Sequence, residues 1–312
     1  MATPLVSAVI PTYNRSGFVR IAVGTAIAQT YPAEALEIIV VDDGGKDDTE
    51  AVLAREFGSR VRYLKKENGG VSEARNFGMK AARGAYVALL DDDDEWLPTK
   101  IARQVELLEA RREIGMVITD VERMDEQRKG FEIFRRREFI PEDGWVLRHV
   151  LRNPALAPAS AMLRREVFET VGGFDRKLRT AEDLDFHLRV ALKYQEAVIP
   201  EVLTRAMRGH QGLSALSRTN TDYLEVIEGF VRANPDAATR ADRDAALFWA
   251  YTRNARGLLW GDGALADALA LAGKAARHAR SRTDVTELAR LGVDVAKNSA
   301  VRARRRLRPA RG

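Results

Sequence analysis

The stretch Ala85-Tyr86-Val87-Ala88-Leu89-Leu90-Asp91-Asp92-Asp93-Asp94-Glu95-Trp96-Leu97-Pro98 decides how the rest of the chain is read. Its first half is short, apolar and bounded, the pattern of a buried strand. Its second half begins with four adjacent carboxylates, which are costly to bury unless they meet a cation. A strand that runs straight into such acids predicts a polar mouth at its carboxyl end. In an extended chain alternate residues share a face, so Asp91 and Asp93 are expected to point one way and Asp92 and Asp94 the other. One such pair offers hard oxygen ligands to Mg2+ or Mn2+, with phosphate oxygens and water completing the shell. A solvated acidic loop is the plainer alternative, and the preceding strand and following Trp-Leu-Pro weigh against it.

Upstream, strand and helix patterns alternate. Val6 to Ile10, Glu37 to Val41 and Val61 to Leu64 read as strands. Phe18 to Ala28, Asp48 to Phe57 and Ser72 to Ala82 read as helices, the last with Ser72 as N-cap. This β-α-β-α-β-α-β order predicts a doubly wound, mostly parallel, Rossmann-like α/β sheet. Ligands in such sheets sit at the carboxyl ends of the strands, where Tyr13, Asp42, Asp43 and the Asp run fall. Downstream, Thr99 to Ala110 and Glu182 to Leu192 read as helices, and Met116 to Val121, Ala159 to Leu163 and Ala197 to Leu203 as strands, with 115–164 less regular overall. From about Asp222 the chain turns Ala-, Leu- and Arg-rich. Val285, Leu288, Leu291 and Val295 recur at helical spacing, as one apolar face. The expected division is a catalytic domain over 1–215 and a helical C-terminal appendage over 216–312.

Two further segments can carry chemistry. In Val40-Val41-Asp42-Asp43-Gly44-Gly45 an acid at a strand end can accept hydrogen bonds from a base or a ribose hydroxyl, although Asp and Gly are also ordinary turn formers. In Asn68-Gly69-Gly70-Val71-Ser72-Glu73-Ala74-Arg75-Asn76 a Gly-rich loop opens a helix. It offers backbone N–H groups, and Arg75 could pair with phosphate, stack on a base, or form a surface ion pair.

Taken with Val9-Ile10-Pro11-Thr12-Tyr13-Asn14, Leu90 to Pro98, Gly172-Gly173-Phe174-Asp175 and Glu182-Asp183, these segments resemble in order and spacing the family 2 glycosyltransferases of the GT-A fold, over about residues 4–215. The resemblance implies an inverting transfer of a sugar from a nucleotide diphosphate donor, by default a UDP-sugar, to a hydroxyl of a glycan or lipid-linked acceptor, in cell-surface polysaccharide synthesis. It implies that Pro11, Thr12 and Tyr13 line the base pocket, that Asp42 holds the base edge with Asp43 close by, and that Arg75 lies near the uridine or pyrophosphate. Asp92 would contact ribose. Asp91 and Asp93 would bind Mn2+ or Mg2+, Asp93 the more directly, with Asp94 an alternative because the run leaves the register open by one residue. Asp183 would be the catalytic base. Glu182 beside it and His210 are further candidates, His210 toward the metal or pyrophosphate. Trp96 reads as a packing anchor beneath the acidic loop or as an acceptor-stacking ring. Two positions depart from the family pattern: Gly45 stands where relatives usually carry Ser, and Leu184-Asp185-Phe186-His187 replaces a more aromatic run.

Composition narrows the alternatives. The chain has no Cys, which excludes disulfides and thiolate chemistry. No apolar run approaches the roughly 18 residues of a membrane span, and no signal-peptide pattern is read at the start, so a cytoplasmic protein is expected. The net charge of +5 belongs to Lys297, Arg302, Arg304, Arg305, Arg306, Arg308 and Arg311, which leave −2 on the first 296 residues. That tail is a solvated end or a weak peripheral contact with the inner face of a membrane. Nucleic acid is not expected, since no aromatic residue is interleaved with the arginines. A sugar-nucleotide pyrophosphorylase would need a Gly-rich basic loop where Pro11-Thr12-Tyr13-Asn14-Arg15 stands. A non-catalytic nucleotide-sugar-binding scaffold would not need Asp91, Asp93 and Asp183.

Overall fold

The computed structural model describes residues 3–153, 156–208, 219–260 and 265–306. Its contacts divide into two units, Met1–Val150 with Pro154–Gly212 and Leu151–Asn153 with Leu213–Gly312.

The first unit is built on a sheet of order β3-β2-β1-β4-β8-β6-β9-β5, with β7 paired to β6. Strands β1 (Val6–Thr12) and β2 (Leu36–Asp42) are buried at every residue. Such mostly apolar runs belong to parallel strands covered on both faces, and the two polar residues within them, Ser7 and Glu37, satisfy each other by a 2.7 Å hydrogen bond from the Ser7 hydroxyl. They pair in parallel with each other, with β3 (Val61–Lys65) and with β4 (Tyr86–Leu89). The register sets Thr12 opposite Asp42 and Asp42 opposite Lys65, so the carboxyl ends of β1, β2 and β3 open on the same edge. The connecting helices are α1 (Ser16–Ile27), α2 (Thr49–Phe57) and α3 (Val71–Ala81). Helix α3 crosses β1 so closely that a Cβ on Gly78 would lie 2.4 Å from Val9 Cγ1.

Beyond β4 the sheet is mixed. Strand β8 (Met162–Arg164) is antiparallel to β4 and to β6 (Ile114–Met124), β9 (Gln195–Met207) is parallel to β6, and the two-residue β5 (Glu95–Trp96) is antiparallel to β9. The less regular stretch thus contains the hairpin of β6 with β7 (Gly130–Phe134). It also holds the short helix α5 (Leu147–Arg152), which follows α4 (Lys100–Ala110) in the chain, and α6 (Arg165–Val171) comes directly after it. Helix α7 (Glu182–Lys193) leads into β9.

Trp96 belongs to the main core. It is 2% exposed, its indole N–H donates to the Ala159 carbonyl at 2.8 Å, and Lys100 Nζ sits 4.3 Å above the ring. It is the anchor under the acidic turn, and burial removes the acceptor-stacking alternative.

The second unit contains α8 (Thr219–Ala233), α9 (Arg240–Trp260), α10 (Leu265–His278) and α11 (Arg282–Arg306). Ala255, Leu259, Ala268 and Leu291 form its core, with Val295 packed against it. Val285, expected on the same face, is 62% exposed, because the apolar seam of α11 starts one turn later. Among the described residues no helix is long and apolar enough to cross a membrane.

Candidate active site

The four aspartates do not alternate as an extended chain would. The Asp94 N–H donates to the Asp91 carbonyl at 3.1 Å, closing a turn from which Asp91, the pair Asp92 and Asp93, and Asp94 reach three different parts of the chain. Asp91 accepts from Arg75 Nη2 at 2.6 Å. Asp92 accepts from the Thr12 hydroxyl and from Arg15 Nη1, both at 2.8 Å. Asp93 accepts from Arg15 Nη2 at 3.1 Å. Asp94 accepts from the Met207 N–H at 2.9 Å, which ties the turn to the end of β9. Burial pushes Asp92 up to about 7, against the pull of Arg15 and with help from the charge of Asp93. Burial and the charges of Asp93 and Asp91 push Asp94 well above the usual carboxylate range.

Arg75 brings the second acidic element to the first. It projects from α3, is 4% exposed, and donates Nη2 to Asp91 and Nη1 to Glu182 Oε1 at 2.8 Å. Asp183 follows Glu182 in the first turn of α7, after Ala181 in the left-handed conformation (φ 63°). An acid at a helix start is ordinarily favoured in its charged form. Here burial and the neighbouring charges of Glu182 and Asp91 prevail over the Leu184 N–H bond and Arg75, and the carboxyl rises to about 7.

The loop before α7 is fastened from both sides. Asn76 exchanges two 2.8 Å hydrogen bonds with the Phe174 backbone, and Arg189 of α7 donates to the carbonyls of Val171 and Gly173. Phe174 stacks on Phe186 at 4.5 Å and lies under the Arg75 guanidinium at 5.1 Å. Beside it a cleft of about 420 Å³ is lined by Gly69, Glu73, Phe174, Asp175, Arg176 and Lys177.

On the β1–β2 side, Pro11 and Thr12 are buried, while Tyr13 is 49% exposed at the mouth. Asp42 is 2% exposed and accepts from the Gly45 N–H at 2.6 Å and the Tyr63 hydroxyl at 2.5 Å. A Cβ on Gly45 would lie 2.8 Å from that carboxylate, so glycine suits the close approach here. Asp43 accepts from Lys66 Nζ at 2.8 Å and from the N–H groups of Gly69 and Gly70. The donors that the Gly-rich loop was expected to offer outward are therefore turned inward onto Asp43. Gly70, at φ 87°, holds the cap position of α3. Ser72 is inside the first turn and does not cap the helix; its buried hydroxyl has no hydrogen-bond partner among the described residues. His210 lies outside the described residues.

The structure thus gathers Thr12, Arg75, Asp91 to Asp94, Glu182 and Asp183 into one connected group, with Tyr13, Asp42 and Asp43 on the same sheet edge. The sequence reading passed over Arg15. The signal for it was a cation just past the carboxyl end of β1, the strand beside β4 in the sheet. The donor type suits a hard divalent ion, since the turn offers carboxylate oxygens from Asp91 to Asp94. Among the described residues no three acids or histidines are gathered as a ready-made cage, so a cation here would need oxygens from a ligand.

Residues 7–172 match the family described as Glycosyl transferase family 2. An uncharacterized glycosyltransferase of Rickettsia felis is 33% identical over 227 residues, 70% of this chain and 37% of its own length. One of Rickettsia prowazekii is 30% identical over 237 residues, 74% of this chain and 72% of its own. The chain therefore spans little more than a third of some curated relatives and most of others. The UDP-Glc:alpha-D-GlcNAc-diphosphoundecaprenol beta-1,3-glucosyltransferase WfaP of Escherichia coli is 38% identical over 109 residues, 35% of this chain and 43% of its own. Among solved structures, S. aureus TarS 1-349 in complex with UDP-GlcNAc aligns with TM-score 0.69 at 17% identity, covering 94% of this chain and 89% of that one. Mannosyltransferase PcManGT from Pyrobaculum calidifontis, in complex with GDP-Man and Mn2+, aligns with TM-score 0.62 at 24% identity, covering 96% and 88%. The fold is that of these GT-A glycosyltransferases.

Proposed function

This chain belongs to glycosyl transferase family 2, and from that premise we propose that it is an inverting enzyme that moves a sugar from a nucleotide diphosphate, by default a UDP-sugar, to a hydroxyl of a glycan or lipid-linked acceptor. The acceptor hydroxyl attacks the anomeric carbon as the bond to the diphosphate breaks, and its proton passes to Asp183. A single displacement of this kind needs one base and no covalent intermediate. The observation that carries the reading is the Arg75 bridge, which joins Asp91 of the acidic turn to Glu182, the neighbour of the proposed base. A base whose carboxyl sits at about 7 is matched to proton transfer near neutral pH.

Asp91 and Asp93 are the residues proposed to hold Mn2+ or Mg2+, with Asp94 the alternative. A bound cation would neutralise charge developing on the departing diphosphate. Pro11, Thr12, Tyr13, Asp42 and Asp43 line the sheet edge proposed for the nucleotide, with Asp92 toward the ribose. Arg75 then acts from behind, holding the two acidic elements at their spacing, since both of its ends are already committed. The UDP-GlcNAc complex of TarS supports a uridine donor, the Mn2+ in the PcManGT complex supports a cation, and the WfaP name supports a lipid-diphosphate acceptor. A place at the cytoplasmic face of a membrane, in polysaccharide synthesis, suits such an acceptor, and the basic tail would add attraction to anionic lipid.

The test is a panel of nucleotide sugars with Mn2+, read as donor turnover and as transfer to a diphosphate-lipid glycan, for the native chain and Asp183→Asn. Turnover of one donor, lost in Asp183→Asn without loss of nucleotide binding, is expected. Equal turnover by the two proteins would remove Asp183 from the chemistry. Binding without turnover by the native chain would favour a non-catalytic scaffold.

A further inference from the structure

The two arginines that neutralise the acidic turn differ in a way that gives one of them a task of its own. Arg75 is buried, with carboxylates from two elements at its ends. Arg15 keeps 30% of its side chain exposed and lies 4.5 Å above the ring of Phe18. From there it spans Asp92 and Asp93 at 2.8 and 3.1 Å. Asp93 is the carboxylate that the cation reading asks to serve most directly, so a side-chain cation occupies oxygen that a divalent ion would need. Asp92 has the Thr12 hydroxyl as a second partner and is supported without Arg15.

We infer that Arg15 is an internal counter-ion: it holds Asp93 while nucleotide is absent and releases it when an anionic diphosphate enters, so that cation and nucleotide bind together. The inference rests on the acidic turn being the cation site. Arg keeps its charge at any working pH, so Asp93 cannot be vacated by deprotonating its partner. The pair can nevertheless be exchanged from the Arg15 side, which keeps 30% of its side chain exposed while Asp92 and Asp93 keep 7% and 15%. A divalent ion on the same carboxylates repels the guanidinium, and a diphosphate offers it a planar, bidentate match elsewhere. Linkage then requires each ligand to raise the affinity for the other by the same factor.

The test measures Mn2+ binding by electron paramagnetic resonance on the full chain. Native protein, Arg15→Gln and Arg15→Lys are compared without nucleotide and with saturating uridine, guanosine or thymidine diphosphate in turn. Without nucleotide, Arg15→Gln should bind Mn2+ at least about tenfold more tightly than the native chain, or about 1.4 kcal/mol, with Arg15→Lys between them. The gain in Mn2+ affinity that the native chain shows on adding its nucleotide should shrink in Arg15→Gln. An unchanged nucleotide-free affinity in Arg15→Gln would overturn the counter-ion role and leave the cation site standing. If none of the three proteins binds Mn2+ under any condition, the cation reading falls and this inference with it. Thermal melting reports folding; should Arg15→Gln not fold, Arg15→Lys decides by whether its nucleotide-free affinity rises.

Discussion

The acidic turn is gripped from two sides by side chains of the same type, with different consequences. On the α3–α7 side, Arg75 is enclosed, joins two carboxylates from distant parts of the chain, and has no aqueous alternative. On the β1–α1 side, Arg15 reaches the turn from the rim with water nearby. A guanidinium sealed between two acids is a brace, whereas one at the rim is a contact that a ligand can take over. Burial, more than residue type or hydrogen-bond length, separates the two roles.

Four experiments would break or sharpen that contrast. The largest effect is expected at the proposed base: Asp183→Asn should lower the transfer rate by about a hundred- to ten-thousandfold, read as kcat with folding checked by circular dichroism. Removing the buried brace comes next. Arg75→Met leaves Asp91 and Glu182 without their shared counter-charge and should cost about 3–5 kcal/mol in urea unfolding. Arg15→Met should cost less than Arg75→Met, because Asp92 keeps the Thr12 hydroxyl as a partner, and equal losses would erase the distinction.

The third concerns pH. The base must be ionised to accept a proton, so the rate should climb about tenfold per unit below pH 7 and level off above it. Stability should run the other way. The native carboxyl of Asp183 is raised to about 7, so the folded chain holds a proton that the unfolded chain has already lost between about pH 4 and 7. Stability therefore falls as pH rises through that window, and unfolding midpoints at pH 5 and 8 should differ less in Asp183→Asn than in the native chain. The smallest effect belongs to the tail. Replacing a single one of its arginines, Arg304→Gln, should lower binding to anionic vesicles a few-fold at low salt, at about 1 kcal/mol for the charge lost near the surface.

Much of this was legible in the chain because the first half of the sheet obeys simple rules. Val6–Thr12 and Leu36–Asp42 are apolar but for Ser7 and Glu37 and end in polar residues, and their shortness and β-branched content mark them as parallel strands covered on both faces. The second half resists for a physical reason. Strand β5 is two residues long, and β7 carries exposed Phe131 and Ile133, so neither length nor alternation marks them. At the site, the identity of the acids could be read but their directions could not. Alternation assumed an extended chain, whereas the chain turns with a backbone hydrogen bond from Asp94 to Asp91, and Asp92 and Asp93 meet the same arginine while Asp91 and Asp94 go elsewhere. The Gly69–Gly70 amides were likewise visible as donors, but their engagement by Asp43 depends on a contact across 26 residues that no local pattern announces.

The left-handed Ala181 ahead of α7 has a practical corollary for anyone seeking a hardier protein. Alanine is uneasy at that backbone angle, whereas glycine is not. A glycine there would relieve steric crowding at the start of α7 and widen the backbone freedom two positions ahead of the proposed base. Screens that select only for heat tolerance can be drawn to this position and return enzymes that survive better and work more slowly.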